Sequence, residues 1–227
     1  MSTIKAPTRL QQTAEALEQR ILSGEFEPGQ HLKEAQFVSE FSVSRGVIRE
    51  AFKTLEQEDI VTILPHRGVF VREFSMQETL EMFDIRAHLS LLAIEAAATN
   101  LTMREIAELE RMDEEMKQSL EAQDPCRAMQ LNWDFHENIY SKCGNDLLIS
   151  LINSLRKKQT LSCLLSFRVP STTERANAEH SAIIKAIRAG DSVAAAQAMH
   201  DHIMGGKQRF IERVERMQAL SRNGLDS

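Results

Sequence analysis

The spacing of apolar residues along the chain changes once, near Glu73. Before this point, apolar positions recur in short runs that predict three brief helices and one hairpin, whereas beyond it they recur at helical spacing over long stretches. We therefore expect an N-terminal domain over residues 1–73, an all-helical domain over residues 74–217 and a frayed tail over residues 218–227.

The first part of the chain predicts a winged helix-turn-helix. Its third helix, in SVSRGVIREAFKTLEQEDI, has Ser44 as N-cap and an inward-facing stripe formed by Ile48, Ala51, Phe52 and Leu55. The apolar runs TRLQQTAEALEQRILSG and KEAQFVSEF predict two earlier helices. IVTILPHRGVFVRE alternates on both sides of a short PHRG loop, which predicts a hairpin. Three helices and a hairpin in about sixty residues are typical of this fold.

Start and stop signals divide the second part into helices. Three segments have capping-box spacing: SMQE, TMRE and STTE. A further helix start is indicated by Asp124, which precedes a proline. The end of one helix and the start of the next are indicated by Gly-Asn at 144–145 and by Gly-Asp at 190–191. Six helices are predicted, at roughly 76–100, 102–122, 125–142, 146–168, 172–189 and 192–217. The predicted fold class is mainly α, a winged helix-turn-helix followed by a six-helix antiparallel bundle.

Composition narrows the class of protein. The chain is 42% hydrophobic and 26% charged, as folded globular proteins are, and it has no apolar run long enough to span a membrane. Its three scattered cysteines suit reduced thiols better than a disulfide framework, and we see no signal peptide, so we expect a cytoplasmic protein. The net charge of −6 argues against indiscriminate coating of nucleic acid but allows a local basic surface.

A basic stripe follows the outer side of the third helix. Arg45, Arg49 and Lys53 stand at i, i+4 and i+8, opposite the apolar stripe. An arginine at the start of such a helix can donate two hydrogen bonds to guanine in the major groove, and later cations more often contact phosphate. Gly46 leaves room for close approach to DNA. These positions predict a recognition helix.

The tip of the predicted hairpin carries a second group of candidate DNA-binding residues. His66, Arg67 and Gly68 can reach an adjacent minor groove or its phosphates. The alternative is an ordinary solvated surface, because residues 1–73 contain 9 Lys+Arg against 11 Asp+Glu. On pattern alone, the two interpretations are about equally favoured.

The segment ILSGEFEPGQHLKEAQFVSEFSVSRGVIREAFKTLEQEDIVTILPHRGVFV resembles the N-terminal domain of the GntR family of bacterial transcription regulators. The PG turn, the element VSRGVIREAF and the wing RGVFV match that family in order and spacing. The resemblance implies that Arg45 and Arg49 read an operator and that Gly68 lies at the wing tip. Gly46 and Val47 stand where relatives often have Thr-Pro, and Ala35 replaces an arginine of some relatives, which leaves base preference open.

Residues 76–215 resemble the FCD ligand-binding domain of the FadR-like subfamily, in its shorter VanR-like form. The likeness rests on IRAHL, NWDFH and EHSAIIKAIRAGDSVAAAQAMHDHI. In that family an aspartate and three histidines often bind a divalent metal inside the bundle. The matching positions here are Asn132, His136, His180 and His202.

The asparagine changes what such a site can bind. Asn132 lies one turn before His136 and offers an amide oxygen, which is a weaker ligand than the usual carboxylate. Three neutral imidazoles suffice for zinc with one position open, and nickel, cobalt or manganese are alternatives. We predict three histidine ligands with Asn132 as a weaker fourth. The alternative, which any single inward-facing histidine favours, is hydrogen bonding within the core.

Arg86 is the predicted effector-binding residue, together with Asn132. In this family the arginine of this segment often lies near the effector pocket, where a guanidinium can bind a carboxylate through two hydrogen bonds. Ser90 stands where the family usually has a glutamate. The alternative for Arg86 is an ordinary salt bridge.

The expected function is transcription regulation, most simply repression. We expect a homodimer on a near-palindromic double-stranded operator, with its affinity modulated by a small carboxylate. A metal-dependent enzyme is not expected, because no carboxylate shares a helical face with a proposed ligand to act as a base. An architectural DNA-binding protein is the other alternative, and it predicts weak sequence preference without any effect of metal or small molecules.

Overall fold

The structure, a computed structural model, describes residues 6–164 and 173–223. The N-terminal elements are α1 (Arg9–Leu22), β1 (His31–Leu32), α2 (Glu34–Phe41), α3 (Arg45–Gln57), β2 (Val61–Leu64) and β3 (Gly68–Val71). Then follow α4 (Met76–Ala97), α5 (Met103–Glu121), α6 (Pro125–Tyr140), α7 (Asp146–Cys163), α8 (Thr173–Arg188) and α9 (Ser192–Asn223). The predicted fold class is confirmed.

The N-terminal domain packs three helices against a small antiparallel sheet. The predicted inward stripe of α3 is fully buried, together with Leu17 and Ile21 of α1. The sheet has the order β1-β3-β2, and Ile63 of β2 faces Val69 of β3. The sequence predicted the hairpin, whereas the pairing of His31 with Phe70 shows that the extended piece after α1 adds a third strand.

Arg20 connects α1 to α2 within this domain. Its guanidinium donates hydrogen bonds to the carboxylates of Glu25 and Glu40. The same group lies 5.1, 5.6 and 5.8 Å from the ring centroids of Phe26, Phe37 and Phe41. A guanidinium can serve both kinds of partner because its faces stack on rings while its edge donates hydrogen bonds.

The predicted helix ends in the second part are largely as the sequence indicated. Thr102 forms a capping box with Glu105, and Asp124 accepts a hydrogen bond from the backbone N–H of Arg127 ahead of the first turn of α6. Gly190 follows the end of α8 with positive φ, as the stop signal predicted. Helix α6 ends earlier than predicted, with Ser141 as its C-cap, and Gly144 lies in the turn that follows, also with positive φ. The predicted cap at Ser75 stays a prediction, and the one at Ser171 lies outside the described residues.

The contacts divide the chain into two compact units. One contains the chain up to Met76 together with the end of α7 from Lys157, and the other contains the remainder. Within the first unit Lys157 forms ion pairs with Glu18 and Glu58, at 2.6 and 2.8 Å. The domain bounds predicted from sequence placed Lys157 in the helical part and stay a prediction. Helix α9 continues to Asn223, beyond the predicted end near residue 217.

The core of the helical unit lies between α5, α6, α8 and α9, where α5 packs on α6 and α8, and α8 packs on α9. Phe135 and Ile139 of α6 are fully buried there, as are Ala195 and Met199 of α9. These residues recur at helical spacing, so each helix presents one apolar face to the core. Three histidines share these buried faces.

Candidate metal centre and DNA-binding surface

Helix α3 presents the predicted basic stripe on its exposed side. The helix begins at Arg45 because Ser44 Oγ accepts a hydrogen bond from the backbone N–H of Val47 at 3.3 Å. Arg45, Arg49 and Lys53 are all exposed, opposite the buried stripe. The arrangement places three cations along one line of the helix surface. Their contact with DNA stays a prediction.

Two of these cations are already paired with acids on the same surface. Arg49 Nε lies 3.0 Å from both carboxylate oxygens of Glu34, the first residue of α2. Lys53 Nζ lies 2.7 Å from Glu50 Oε1 on α3 itself. The pair between Arg49 and Glu34 could not be predicted from helical spacing, because it joins two helices.

The tip of the hairpin is held by backbone conformations that only some residues tolerate. His66 has φ +60 and Gly68 has φ +103. A Cβ at Gly68 would lie 2.5 Å from His31 Nε2, so a glycine is required there. His66 and Arg67 are exposed at this tip, while Gly68 begins β3. The structure therefore places all three predicted tip residues together on the wing.

The three predicted metal ligands come together inside the helical unit. His136 of α6, His180 of α8 and His202 of α9 are all buried. One ring nitrogen from each lies within 4.8 Å of the other two. His136 Nε2 and His202 Nε2 are 3.2 Å apart. The positions were predicted from helical spacing and family resemblance, and the structure brings them into one cluster.

The histidine cluster fits a divalent metal. Two nitrogens bound to a tetrahedral zinc at its usual bond length are about 3.3 Å apart, close to the separation of the two Nε2 atoms. Within the part of the chain that the structure describes, His136 Nδ1 and both ring nitrogens of His180 are buried without a hydrogen-bond partner. Leaving such an atom unpaired costs about 1–3 kcal/mol, and a metal bound through the Nε2 atoms would offset this cost at His180 Nε2.

The protonation states also suit metal binding. Burial lowers the pKa of His136 well below its usual value, and the nearby rings of His202 and His180 lower it further. Burial and the ring of His180 lower the pKa of His202 to about 3. Both rings are therefore neutral at pH 7 and keep a lone pair, which is the form that binds a metal.

Two carboxylates that the sequence-based reasoning did not select lie behind these rings. Glu179 Oε2 is 3.0 Å from His202 Nδ1, and Asp113 Oδ1 is 3.6 Å from His180 Nδ1. Burial alone would raise the pKa of Glu179, but His202 and Arg209 lower it to about 2. For Asp113, the opposing effects of His180 and Lys117 outweigh burial and lower the pKa. Both acids are therefore anions at neutral pH.

Arg86 and Asn132, the two predicted effector-binding residues, are both half-buried. Arg86 of α4 is half-buried, with its guanidinium 5.9 Å from the ring centroid of Phe83. Its charge lowers the pKa of His136, after the larger effects of burial and the two other histidines, so it lies near the cluster. Asn132 is half-buried one turn before His136, and its place as a fourth ligand stays a prediction.

Ser90 and Tyr140 occupy the region where the family resemblance led us to expect a glutamate. Ser90 is fully buried and accepts a hydrogen bond from the Tyr140 hydroxyl at 2.9 Å. The ring of Tyr140 stacks 5.8 Å from that of His136. Hydroxyl groups thus replace a charge beside the histidine cluster.

A second arginine near the cluster was missed by the sequence-based reasoning. Arg156 of α7 is buried, and it donates hydrogen bonds to the Trp133 carbonyl at 3.0 Å and to Glu137 at 3.3 Å. Its guanidinium lies 5.0 Å from the Trp133 ring centroid. Burial lowers its pKa, and its charge contributes to the low pKa of His136. No motif or spacing distinguishes Arg156 from the lysines that follow it.

Fold and site together define a winged-helix DNA-binding protein whose second, helical domain holds a buried histidine cluster. Family comparison agrees with this class: the bacterial regulatory proteins of the gntR family match residues 9–71, and the FCD domain matches residues 81–205. The chain belongs to the GntR family of bacterial transcription regulators, in its FadR-like, FCD-containing branch.

Curated relatives are transcription regulators rather than enzymes. The chain is 29% identical over 191 residues to the gluconate operon transcriptional repressor of Bacillus licheniformis, covering 82% of this chain and 78% of that protein. It is 25% identical over 197 residues to the transcriptional repressor GlaR of Escherichia coli, covering 83% and 89%. It is 26% identical to the uncharacterized regulator YdhC of Bacillus subtilis, covering 82% and 84%.

Solved structures share the fold. Escherichia coli McbR/YncC has a TM-score of 0.82 at 21% identity, covering 92% of this chain and 100% of that chain. A GntR regulator from Rhodococcus has a TM-score of 0.79 at 21% identity, covering 91% and 99%. Among the described residues, the helices all fall short of the length and apolarity that crossing a membrane requires.

Proposed function

We propose that this protein is a transcription repressor whose affinity for operator DNA is changed by a small organic acid and a divalent metal. Residues 1–73 would bind DNA, and residues 74–217 would bind the effector and form a homodimer in the cytoplasm. Repression is supported by relatives that are named repressors. The observation that carries the ligand-binding part is the cluster of three buried histidines, whose ring nitrogens lie within 4.8 Å of one another.

The metal would be held by His136, His180 and His202, with Asn132 as a weak fourth ligand. Zinc suits this donor set best, and nickel, cobalt and manganese are alternatives. A bound metal supplies positive charge and an open coordination position for a carboxylate oxygen. Arg86, which lies near the cluster, would donate hydrogen bonds to the same carboxylate.

Two chains would place two recognition helices on one face of the operator. A two-fold dimer matches a near-palindromic site whose half-sites are spaced like its recognition helices. An effector that favours one packing of the helical domain would change the geometry of the two DNA-binding domains and release the operator. Near-complete release needs a preference of about 5 kcal/mol for the non-binding state.

Thermal melting after chelation tests the metal. We expect zinc, nickel, cobalt or manganese to raise the melting temperature by a few degrees, because a ligand at a hundred times its dissociation constant adds about 2.7 kcal/mol. His180→Ala should lose this shift. His88→Ala is the matched control, since His88 is an exposed histidine of α4. A wild-type protein that no metal stabilises would contradict the metal site.

A carboxylate screen tests the effector. We expect at least one small organic acid to weaken operator binding by the metal-loaded protein, measured by fluorescence anisotropy. Arg86→Gln should abolish that response while operator affinity without the acid is unchanged. Arg188→Gln is the control, because Arg188 is exposed on α8 and pairs with Glu110. A response that survives in Arg86→Gln would remove Arg86 from the effector site.

A further inference from the structure

Two of the three clustered histidines have a carboxylate directly behind the ring. His202 Nδ1 faces Glu179 Oε2 at 3.0 Å, while its Nε2 faces His136. His180 Nδ1 faces Asp113 Oδ1 at 3.6 Å, slightly longer than a hydrogen bond. Both of these facing atoms are buried and have no other hydrogen-bond partner among the described residues. Each carboxylate therefore faces the Nδ1 atom of one ring, and for His202 this is the side away from His136.

Each carboxylate is itself fixed by a cation. Arg209 donates to both oxygens of Glu179, at 2.7 and 2.9 Å. Lys117 lies 2.8 Å from Asp113 Oδ2, and Ser181 Oγ donates to the same oxygen at 3.2 Å. These partners hold the acids behind the rings, and neither acid belongs to the group of ligand atoms within 4.8 Å of one another. The acids are thus placed beside the ligands and not among them.

A carboxylate in this position determines which ring nitrogen carries the hydrogen. An ionised carboxylate only accepts hydrogen bonds, so the nitrogen that faces it must donate. A neutral imidazole has one N–H, which leaves the lone pair on Nε2 and directed away from the carboxylate. His136 differs, because among the described residues its Nδ1 is buried with neither a hydrogen-bond partner nor a carboxylate facing it. It must then donate through Nε2 to His202 when no metal is bound.

The same acids supply charge that the ligands lack. Three neutral imidazoles and the amide of Asn132 bring no negative charge to a divalent ion. A carboxylate hydrogen-bonded to a ligating histidine raises the basicity of that ligand and fixes the ring orientation. Asp113 and Glu179 bring two negative charges to the backs of two ligands.

We propose that Asp113 and Glu179 are positioning residues of the metal centre, which hold His180 and His202 in the Nδ1–H tautomer and compensate for the uncharged Asn132. This inference rests on the proposed function, because it assigns roles toward the same metal. It also assigns a tautomer to each ring in the metal-free protein, which is measurable without any metal.

Metal affinity is the first test. We expect Asp113→Asn and Glu179→Gln each to weaken zinc binding about 10- to 100-fold, measured by competition with a chromophoric chelator. Asp201→Asn is the matched control, because it removes a carboxylate next to His202 in sequence that is exposed and bonded to Gln197. Circular dichroism of each variant checks that the helices persist. If Glu179→Gln unfolds because Arg209 loses its partner, Asp113→Asn still decides the question.

Nitrogen-15 NMR of histidine side chains is the second test, on the metal-free wild type. We expect the hydrogen of His180 and His202 on Nδ1 and that of His136 on Nε2. An Nε2–H tautomer at His180 or His202 would overturn the proposal, as would unchanged zinc affinity in both variants while the wild type binds zinc. A wild type that binds no metal would overturn the metal part of the proposed function and this proposal with it.

Discussion

Glu34, the first residue of α2, binds the guanidinium of Arg49 in the middle of the exposed stripe of α3, with both carboxylate oxygens 3.0 Å from Nε. An acid thus lies beside the cation that is predicted to read DNA. The pair fixes the direction of the Arg49 side chain, but it also brings a negative charge to a surface that must approach phosphates.

Replacing Arg49 by alanine should abolish operator binding. A guanidinium that contacts a base contributes about 1–3 kcal/mol per half-site, so we expect a loss of about 5- to 150-fold for each half-site and a larger one for the dimer. The side chain is largely exposed, so the melting temperature should change little. Electrophoretic mobility shifts measure the loss, with Arg188→Ala as control. Retained sequence-specific binding would show that α3 is not the recognition helix.

Replacing Glu34 by glutamine should have the opposite effect on non-specific DNA. Removing one negative charge and an exposed ion pair is expected to strengthen binding to random-sequence DNA about two- to fivefold at low salt. Specificity should fall, because Arg49 loses the partner that directs it. Anisotropy titrations at several salt concentrations measure both effects. Asp201→Asn makes the same charge change on α9 and should leave DNA affinity unaltered.

Replacing Gly68 by alanine should destabilise the wing. The positive φ and the close approach of His31 together predict a loss of about 1–3 kcal/mol in the free energy of unfolding, measured with urea. Gly144→Ala is a matched control, since its φ is also positive but a Cβ there meets open space. His31→Ala should recover part of the loss in the double variant. Additive losses would contradict the steric explanation.

Stability should depend on pH through Glu105. Its bonds to Lys142 and Thr102 lower its pKa from 4.5 to about 2. A carboxyl with a depressed pKa in the folded state stabilises the protein above its unfolded pKa, and this contribution is lost as the pH falls from about 4.5 toward 2. The stability difference between wild type and Glu105→Gln should therefore be constant above pH 4.5 and shrink below it.

Urea unfolding at a series of pH values measures this difference. Lys142→Met removes the largest cause of the shift, so in that background the loss should occur over a narrower range of pH. Parallel stability curves for wild type and Glu105→Gln down to pH 2 would show that Glu105 has no such role.

Features that depend on position within one helix could be predicted from the sequence. The exposed line of Arg45, Arg49 and Lys53 follows from helical periodicity, and so does the burial of His202 with Ala195 and Met199. Helix ends at Thr102 and Asp124 follow from side chains that bond to the adjacent backbone. The histidine cluster could not be predicted from periodicity alone, because its three residues lie on three different helices. The family resemblance was needed to group them.

Features that join different helices could not be predicted in this way. Asp113 lies on α5 and His180 on α8, and nothing in their spacing says that these helices pack side by side. Glu179 is adjacent to His180 in sequence but contacts His202, since neighbours on a helix point in different directions. A search for carboxylates along each ligand's own helix face therefore finds none.

Arg20 limits how the N-terminal domain can vary. A lysine there would keep the charge, but its compact ammonium group cannot stack on three rings and bond two carboxylates at once. Arg20 is therefore as restricted as a core residue, although it carries a charge. We expect a library of substitutions at this position to show that lysine is tolerated no better than alanine. Exposed charged residues elsewhere on α1 should tolerate substitution, whereas Arg20 should not.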